Sequence, residues 1–165
     1  MTDTVVLDEG TRYLNRIAEK EPATNHLVLL VDDTADNIVL ISIVLQQQGY
    51  RVVTASNGEE AVRAAVLAQP DVILMDIGMP QLDGFGAARK IKEHESLRAI
   101  PIIAITAFNT DGFRRAAYDA GFEGYLTKPL DFDRLHELIQ GTLKENGKNP
   151  PDETSSLNKT SALIG

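Results

Sequence analysis

The chain has 165 residues, 43% of them apolar, with 24 acidic against 16 basic side chains, a formal net charge of −8 and no Cys. That length suits one domain with tails, the lack of Cys excludes disulfides and thiolate metal sites, and the acidity argues against a basic nucleic-acid-binding face. Residues 1–10 carry acids early with no basic region, and no apolar run approaches the roughly 20 residues of a membrane span, so a cytoplasmic protein without a signal peptide or membrane segment is expected.

Residues 1–25 form an N-terminal arm. In it Tyr13, Leu14 and Ile17 fall near one face of a candidate short helix, which is marginal alone. "LVLLV" at 27–31 reads as a buried strand and runs into Asp32 and Asp33. "TADNIVLISIVLQQQG" has apolar residues at helical spacing, with Gly49 as its stop. "YRVVTA" is a strand and "SNG" a turn. Glu59 and Glu60 open the next helix, where the dipole favours acids. "DVILMD" at 71–76 is an almost wholly apolar strand, followed by the loop "IGMPQLDG" with Asp83 as the candidate cap of helix "FGAARKIKEH". "IPIIAITA" is a strand, "DGFRRAAYDAG" a helix ended by Gly121, and "EGYLT" a short strand. After "KPL", Asp131 caps a last helix, "DFDRLHELIQGTLKEN". Residues 146–165 are polar, with a Pro pair, and read as a disordered tail too short to fold into an output domain.

Five strands alternating with helices predict an α/β domain over 26–145, with a parallel sheet covered on both faces. All strands of such a sheet end at one edge, where ligands bind. The residues just past each apolar run are Asp32 and Asp33, then Asp76, Thr106 and Lys128. Three clustered carboxylates need a compensating charge, and hard oxygen ligands suit Mg²⁺. Lys128 suits an anionic oxygen and the Thr106 hydroxyl can donate to a second. A carboxylate can accept a phosphoryl group as an acyl phosphate, and Asp76 is the natural nucleophile.

Bland alternatives exist for each residue. Asp32 and Asp33 could cap the helix from Ala35, but one cap needs one acid. Thr106 alone is an ordinary strand residue, Lys128 alone a solvated lysine, and Tyr125 alone half-buried core. Their joint placement favours the functional reading. His26, His94 and His136 lack ligand spacing. "GFGAAR" at 84–89 is similar to a dinucleotide loop but lacks its third Gly and does not follow a strand directly.

The motifs "VDD" at 31–33, "LMDIGMP" at 74–80, "AITA" at 104–107 and "YLTKP" at 125–129 closely resemble those of the receiver domain of bacterial two-component response regulators, in the same order and spacing. The resemblance implies a flavodoxin-like, doubly wound sheet of order 2-1-3-4-5 in a single-domain regulator. It implies that Asp76 accepts a phosphoryl group from a phosphohistidine on a sensor histidine kinase or histidine phosphotransfer protein. It implies Mg²⁺ (or Mn²⁺) held by Asp33, Asp76 and the Gly78 carbonyl, with Asp32 acting through a water. Thr106 and Lys128 would bind phosphoryl oxygens, Thr106 and Tyr125 would form the switch, and Lys128–Pro129 would be cis. Gly78 and Phe108, two residues after Asp76 and Thr106, would border the path of hydrolytic water; neither can orient a water, which implies slow self-dephosphorylation. Such a protein is a switch that catalyses only its own phosphorylation and dephosphorylation. A downstream protein target would dock on the last helix-strand-helix unit, including Arg114, Arg115, Tyr118 and the helix from Asp131. Two rivals remain. Phosphatases or phosphotransferases using an aspartyl phosphate typically carry a second acid two residues after the nucleophile, where this chain has Gly78. A degenerate receiver would lack one of the acids, Thr or Lys.

Overall fold

The computed structural model describes residues 25–79 and 83–147. The arm predicted over 1–25, apart from Asn25, and the tail predicted over 146–165, apart from Asn146 and Gly147, lie outside them. The elements run β1 (Leu27–Val31), α1 (Ala35–Gln47), β2 (Arg51–Ala55), α2 (Gly58–Ala68), β3 (Val72–Asp76), α3 (Gly84–Glu93), β4 (Ile102–Thr106), α4 (Asp111–Asp119), β5 (Gly124–Thr127) and α5 (Phe132–Glu145). The strands are parallel and ordered β2-β1-β3-β4-β5, as the resemblance implied. No described helix is long and apolar enough to cross a membrane.

Strand periodicity divides the core in two. Leu29, Val31, Ile73, Met75, Ile102 and Ala104 face Ala61 and Ala65 of α2, Ala87, Ala88 and Ile91 of α3, and Ala117 of α4. The alternate residues Val28, Leu30, Val72, Leu74, Ile103 and Ile105 face Ile41 and Leu45 of α1 and Leu135, Ile139 and Leu143 of α5. The three central strands are thus buried on both faces, which their near-continuous apolar runs required. The edge strand β2 departs from that expectation: Arg51 and Thr54 are exposed, because it pairs on one side only.

The predicted caps form. Asp83 accepts from the Gly86 amide at the start of α3, and Asp131 accepts from the amides of Asp133 and Arg134 in α5. Asn57 caps α2 by accepting from Glu60 N–H, and the Glu60 carboxylate reaches back to the amide and hydroxyl of Ser56. Gly49 and Gly121 take φ of 90° and 102°, the left-handed geometry that stops a helix.

One glycine sets the distance between a helix and the central strand. A Cβ on Gly84 would lie 2.5 Å from the Asp76 carbonyl oxygen and 2.6 Å from Ile77 Cα, so the start of α3 rests directly on the backbone leaving β3. Both contacts are to backbone, which cannot swing aside. Gly84→Ala is therefore expected to lower stability by about 1–3 kcal/mol through overpacking. A urea midpoint equal to that of the wild type would contradict this contact.

Candidate functional site

The topology brings four strand ends to one edge. Asp32 and Asp33 follow β1, Asp76 is the last residue of β3, Thr106 ends β4 and Lys128 follows β5. Register supports the convergence: Asp76 pairs with Ile105 and Thr106 with Thr127. Carboxylate oxygens of Asp32, Asp33 and Asp76 all lie within 4.8 Å of one another. Asp32 is 1% exposed and Asp76 8%, whereas Asp33 faces solvent. The ammonium of Lys128 sits between two of them, 3.2 Å from Asp32 Oδ2 and 3.1 Å from Asp76 Oδ2. Every predicted acid, the Thr and the Lys therefore stand on the same edge.

Neither acid caps α1. The cap residue is Thr34, which makes no side-chain cap bond. Asp32 Oδ1 instead accepts from the Thr34 amide, and both its oxygens accept from Asn37 Nδ2. Those bonds satisfy and orient the buried Asp32 carboxylate without using it as a helix cap.

The charges do not balance. One ammonium faces three carboxylates, two of them buried, and buried carboxylates are costly unless compensated. Burial alone would lower the Lys128 pKa; the carboxylates of Asp76 and then Asp32 outweigh it and hold the pKa above its ordinary value. The stabilisation from these pairs is thus fully present below the ordinary lysine value of 10.5 and is lost as pH rises through the raised value. A clustered, all-oxygen, net-negative site fits a hard divalent cation such as Mg²⁺.

Around Asp76, its Oδ1 accepts from the Gly78 amide at 3.0 Å. A Cβ on Gly78 would lie 3.7 Å from Asp76 Oδ1 and 3.9 Å from Phe108 Cε2, so Gly78 lies between the Asp76 carboxylate and the Phe108 ring edge. Thr106 is fully buried, and its Oγ1 accepts from the Phe108 amide at 3.1 Å. The Phe108 carbonyl in turn accepts from the Tyr125 hydroxyl. Tyr125 lies inward, only 7% exposed, with the Arg114 guanidinium 5.1 Å above its ring. Burial raises the Tyr125 pKa further than Arg114 lowers it, so its hydroxyl is a donor at neutral pH. The Lys128–Pro129 bond is cis. The three His stay apart from this edge: His26 lies against Asp71, His136 against Tyr50 and His94 against Ser96.

Sequence reading missed Asn37, Arg114 as a ring partner and Phe113. Asn37 was legible as one of two adjacent polar residues, with Asp36, on the first turn of a helix whose next four residues are apolar. Phe113 carried no such signal, because its contact crosses from a loop into α4.

A family model described as the response regulator receiver domain matches residues 28–140. The chain is 35% identical over 116 residues to the polar-differentiation response regulator DivK of Brucella anthropi, covering 70% of this chain and 94% of that protein. It is 39% identical over 117 residues to the response regulator PleD of Caulobacter vibrioides, but that match covers 68% of this chain and 26% of PleD. This chain thus spans about a quarter of the length of that relative. Among solved structures, it is similar to the receiver domain of the sensor histidine kinase PA1611 from Pseudomonas aeruginosa, with 38% identity, a TM-score of 0.69, and coverage of 73% of this chain and 99% of that one. In that structure a magnesium ion is coordinated in the active site cleft.

Proposed function

The chain belongs to the response regulator receiver domain family of two-component signalling, and on that footing we propose that Asp76 accepts a phosphoryl group from a phosphohistidine on a sensor histidine kinase or histidine phosphotransfer protein, in the cytoplasm. The observation that carries this reading is the Asp76 carboxylate itself: at the carboxyl end of the central strand, beside two further carboxylates and 3.1 Å from Lys128 Nζ. In the transfer, an Asp76 oxygen bonds to phosphorus while the P–N bond breaks and its electron pair returns to the imidazole. Lys128 offers charge to one phosphoryl oxygen. Thr106 Oγ1 accepts from Phe108 N–H and keeps its own proton to donate to another. Asp33, Asp76 and the Gly78 carbonyl would hold Mg²⁺ (or Mn²⁺), with Asp32 acting through a water. When bound, the cation offsets the carboxylates and the anionic phosphoryl oxygens.

The donor's approach has a natural surface. Asn37, Leu40, Ile41, Pro129, Leu130 and Phe132 line an apolar groove of about 400 Å³ that ends at Lys128. Leu40 in that lining is about half exposed, as are Val39 and Ile43 of the same helix. A helical phosphohistidine partner seated there would present its imidazole next to Asp76, since the groove and the acceptor share Lys128. Labelling by acetyl phosphate, with and without Mg²⁺, tests the acceptor reading. Metal-dependent incorporation of one phosphoryl group per chain supports it, and no incorporation under either condition overturns it.

The output follows the chain of bonds from Thr106 through Phe108 to Tyr125. A phosphoryl oxygen that accepts from the Thr106 hydroxyl would draw Oγ1 toward Asp76, and the Phe108 amide bonded to that oxygen would follow. The loop then moves, and with it the carbonyl that anchors Tyr125. Tyr125 is already inward in this structure, so the change at the ring is its anchorage to Phe108 and its contact with Arg114. The surface that alters for a downstream protein is the α4-β5-α5 unit, including Arg114, Arg115 and Tyr118. Amide NMR shifts on adding a beryllofluoride mimic are expected to spread over α4 and β5. Shifts confined to the strand-end cleft would contradict a transmitted switch.

A further inference from the structure

Phe108 is 49% exposed at the mouth of the site, yet its ring is not free. It stacks on Phe113 with centroids 4.5 Å apart and planes 14° from parallel. Phe113 is half-buried against the core on the α2-α3-α4 side of the sheet and meets Phe85, which meets Phe122 edge-on, both at 6.1 Å between centroids. The Phe108 backbone is bonded on both sides, its amide to Thr106 and its carbonyl to Tyr125. Backbone and ring are thus both tethered, and the ring edge that remains borders Gly78 beside Asp76 Oδ1.

We infer that Phe113 is a positioning residue that holds the Phe108 ring across the approach to Asp76, excluding hydrolytic water and prolonging the phosphorylated state. The inference rests on Asp76 being the phosphoryl acceptor. In the reaction that is slowed, a water oxygen bonds to phosphorus in line with the Asp76 oxygen. The P–O bond to Asp76 breaks, its electron pair returns to the carboxylate, and the water proton leaves to solvent with inorganic phosphate as product. No polar side chain stands at Gly78 or Phe108 to orient that water. The ring denies it the space, and the stack sets how often the ring swings away.

The test compares decay of the Asp76 acyl phosphate after loading with acetyl phosphate, removal of the donor and incubation at fixed Mg²⁺. Phe113→Leu keeps apolar volume but offers no flat face. It is expected to speed decay roughly two- to ten-fold, the range by which one aromatic stack shifts a two-state population. Phe113→Tyr restores a flat face and should restore the wild-type lifetime. Phe108→Ala should also decay faster, and adding Phe113→Leu to it should change nothing further, because Phe113 acts through Phe108. A merely structural role for Phe113 would instead add to the effect of Phe108→Ala. Wild-type lifetime in Phe113→Leu, or full additivity in the double variant, overturns the inference while the acceptor reading stands. Failure of the wild type to incorporate label overturns that reading, and this inference with it.

Discussion

Asp76→Asn is expected to abolish phosphoryl incorporation from acetyl phosphate altogether. The amide is isosteric but is not a competent nucleophile, so transfer loses the group that forms the new bond. The variant should still fold. Asn fills the same volume, and its carbonyl can accept from the Gly78 amide as Asp76 Oδ1 does. It leaves Lys128 with Asp32 as its remaining partner, 3.2 Å away. A retained melting transition with no label is therefore the expected pair of results. Stoichiometric labelling of the variant at another residue would refute Asp76 as the acceptor.

The second large effect lies in the metal. Asp33 is the exposed member of the three carboxylates, with no shift of burial at stake in its removal. Asp33→Ala is expected to weaken Mg²⁺ binding by at least about ten- to a hundred-fold, since even outer partners of a metal site are worth that much. Stability without metal should hold or rise, because one of three like charges is gone. The rise in melting temperature on adding Mg²⁺ should shrink in parallel, since a ligand stabilises only in proportion to its affinity for the folded state. Asp32 should behave differently. It is buried and bonded to Lys128, Asn37 and the Thr34 amide, so Asp32→Ala is expected to lower stability even without metal. Equal metal titrations for wild type and Asp33→Ala would remove Asp33 from the ligand set.

The proposed shielding at Gly78 and Phe108 would link chemistry to signalling. A receiver whose acyl phosphate is sheltered holds its message longer, which suits a relay or a lasting output. Under the inference drawn from the Phe108–Phe113 stack, that lifetime would be adjustable by substitutions in α4 that touch neither the proposed metal ligands nor the proposed phosphoryl ligands.

Much of this was legible in the residues alone, for a physical reason. The apolar runs at 27–31, 72–75 and 102–105 are too short for helices and too continuous for half-exposed strands, which favours a parallel sheet buried on both faces. Parallel strands share one carboxyl edge, and that alone brings Asp32, Asp33, Asp76, Thr106 and Lys128 together without any knowledge of distances. Caps at Asp83 and Asp131 and stops at Gly49 and Gly121 are local, and local chemistry is written in order along the chain. Other features are settled between residues far apart in sequence, where no periodicity reaches. Lys128 meets Asp32 across 96 positions, and only the packing of β5 against its neighbours decides that it bridges Asp32 and Asp76 rather than extending into water. Which acid is buried and which exposed depends on how α1 leaves β1, and Thr34 at its cap turns Asp32 inward and Asp33 outward. The contact of α3 with the Asp76 carbonyl, the inward Tyr125 and the Phe108–Phe113 stack likewise arise where a loop meets an element packed on it. The sequence thus determined the chemistry and the edge on which it gathers. The tertiary structure alone decided burial, pairing and access, because those depend on distances across crossovers that the order of residues does not encode.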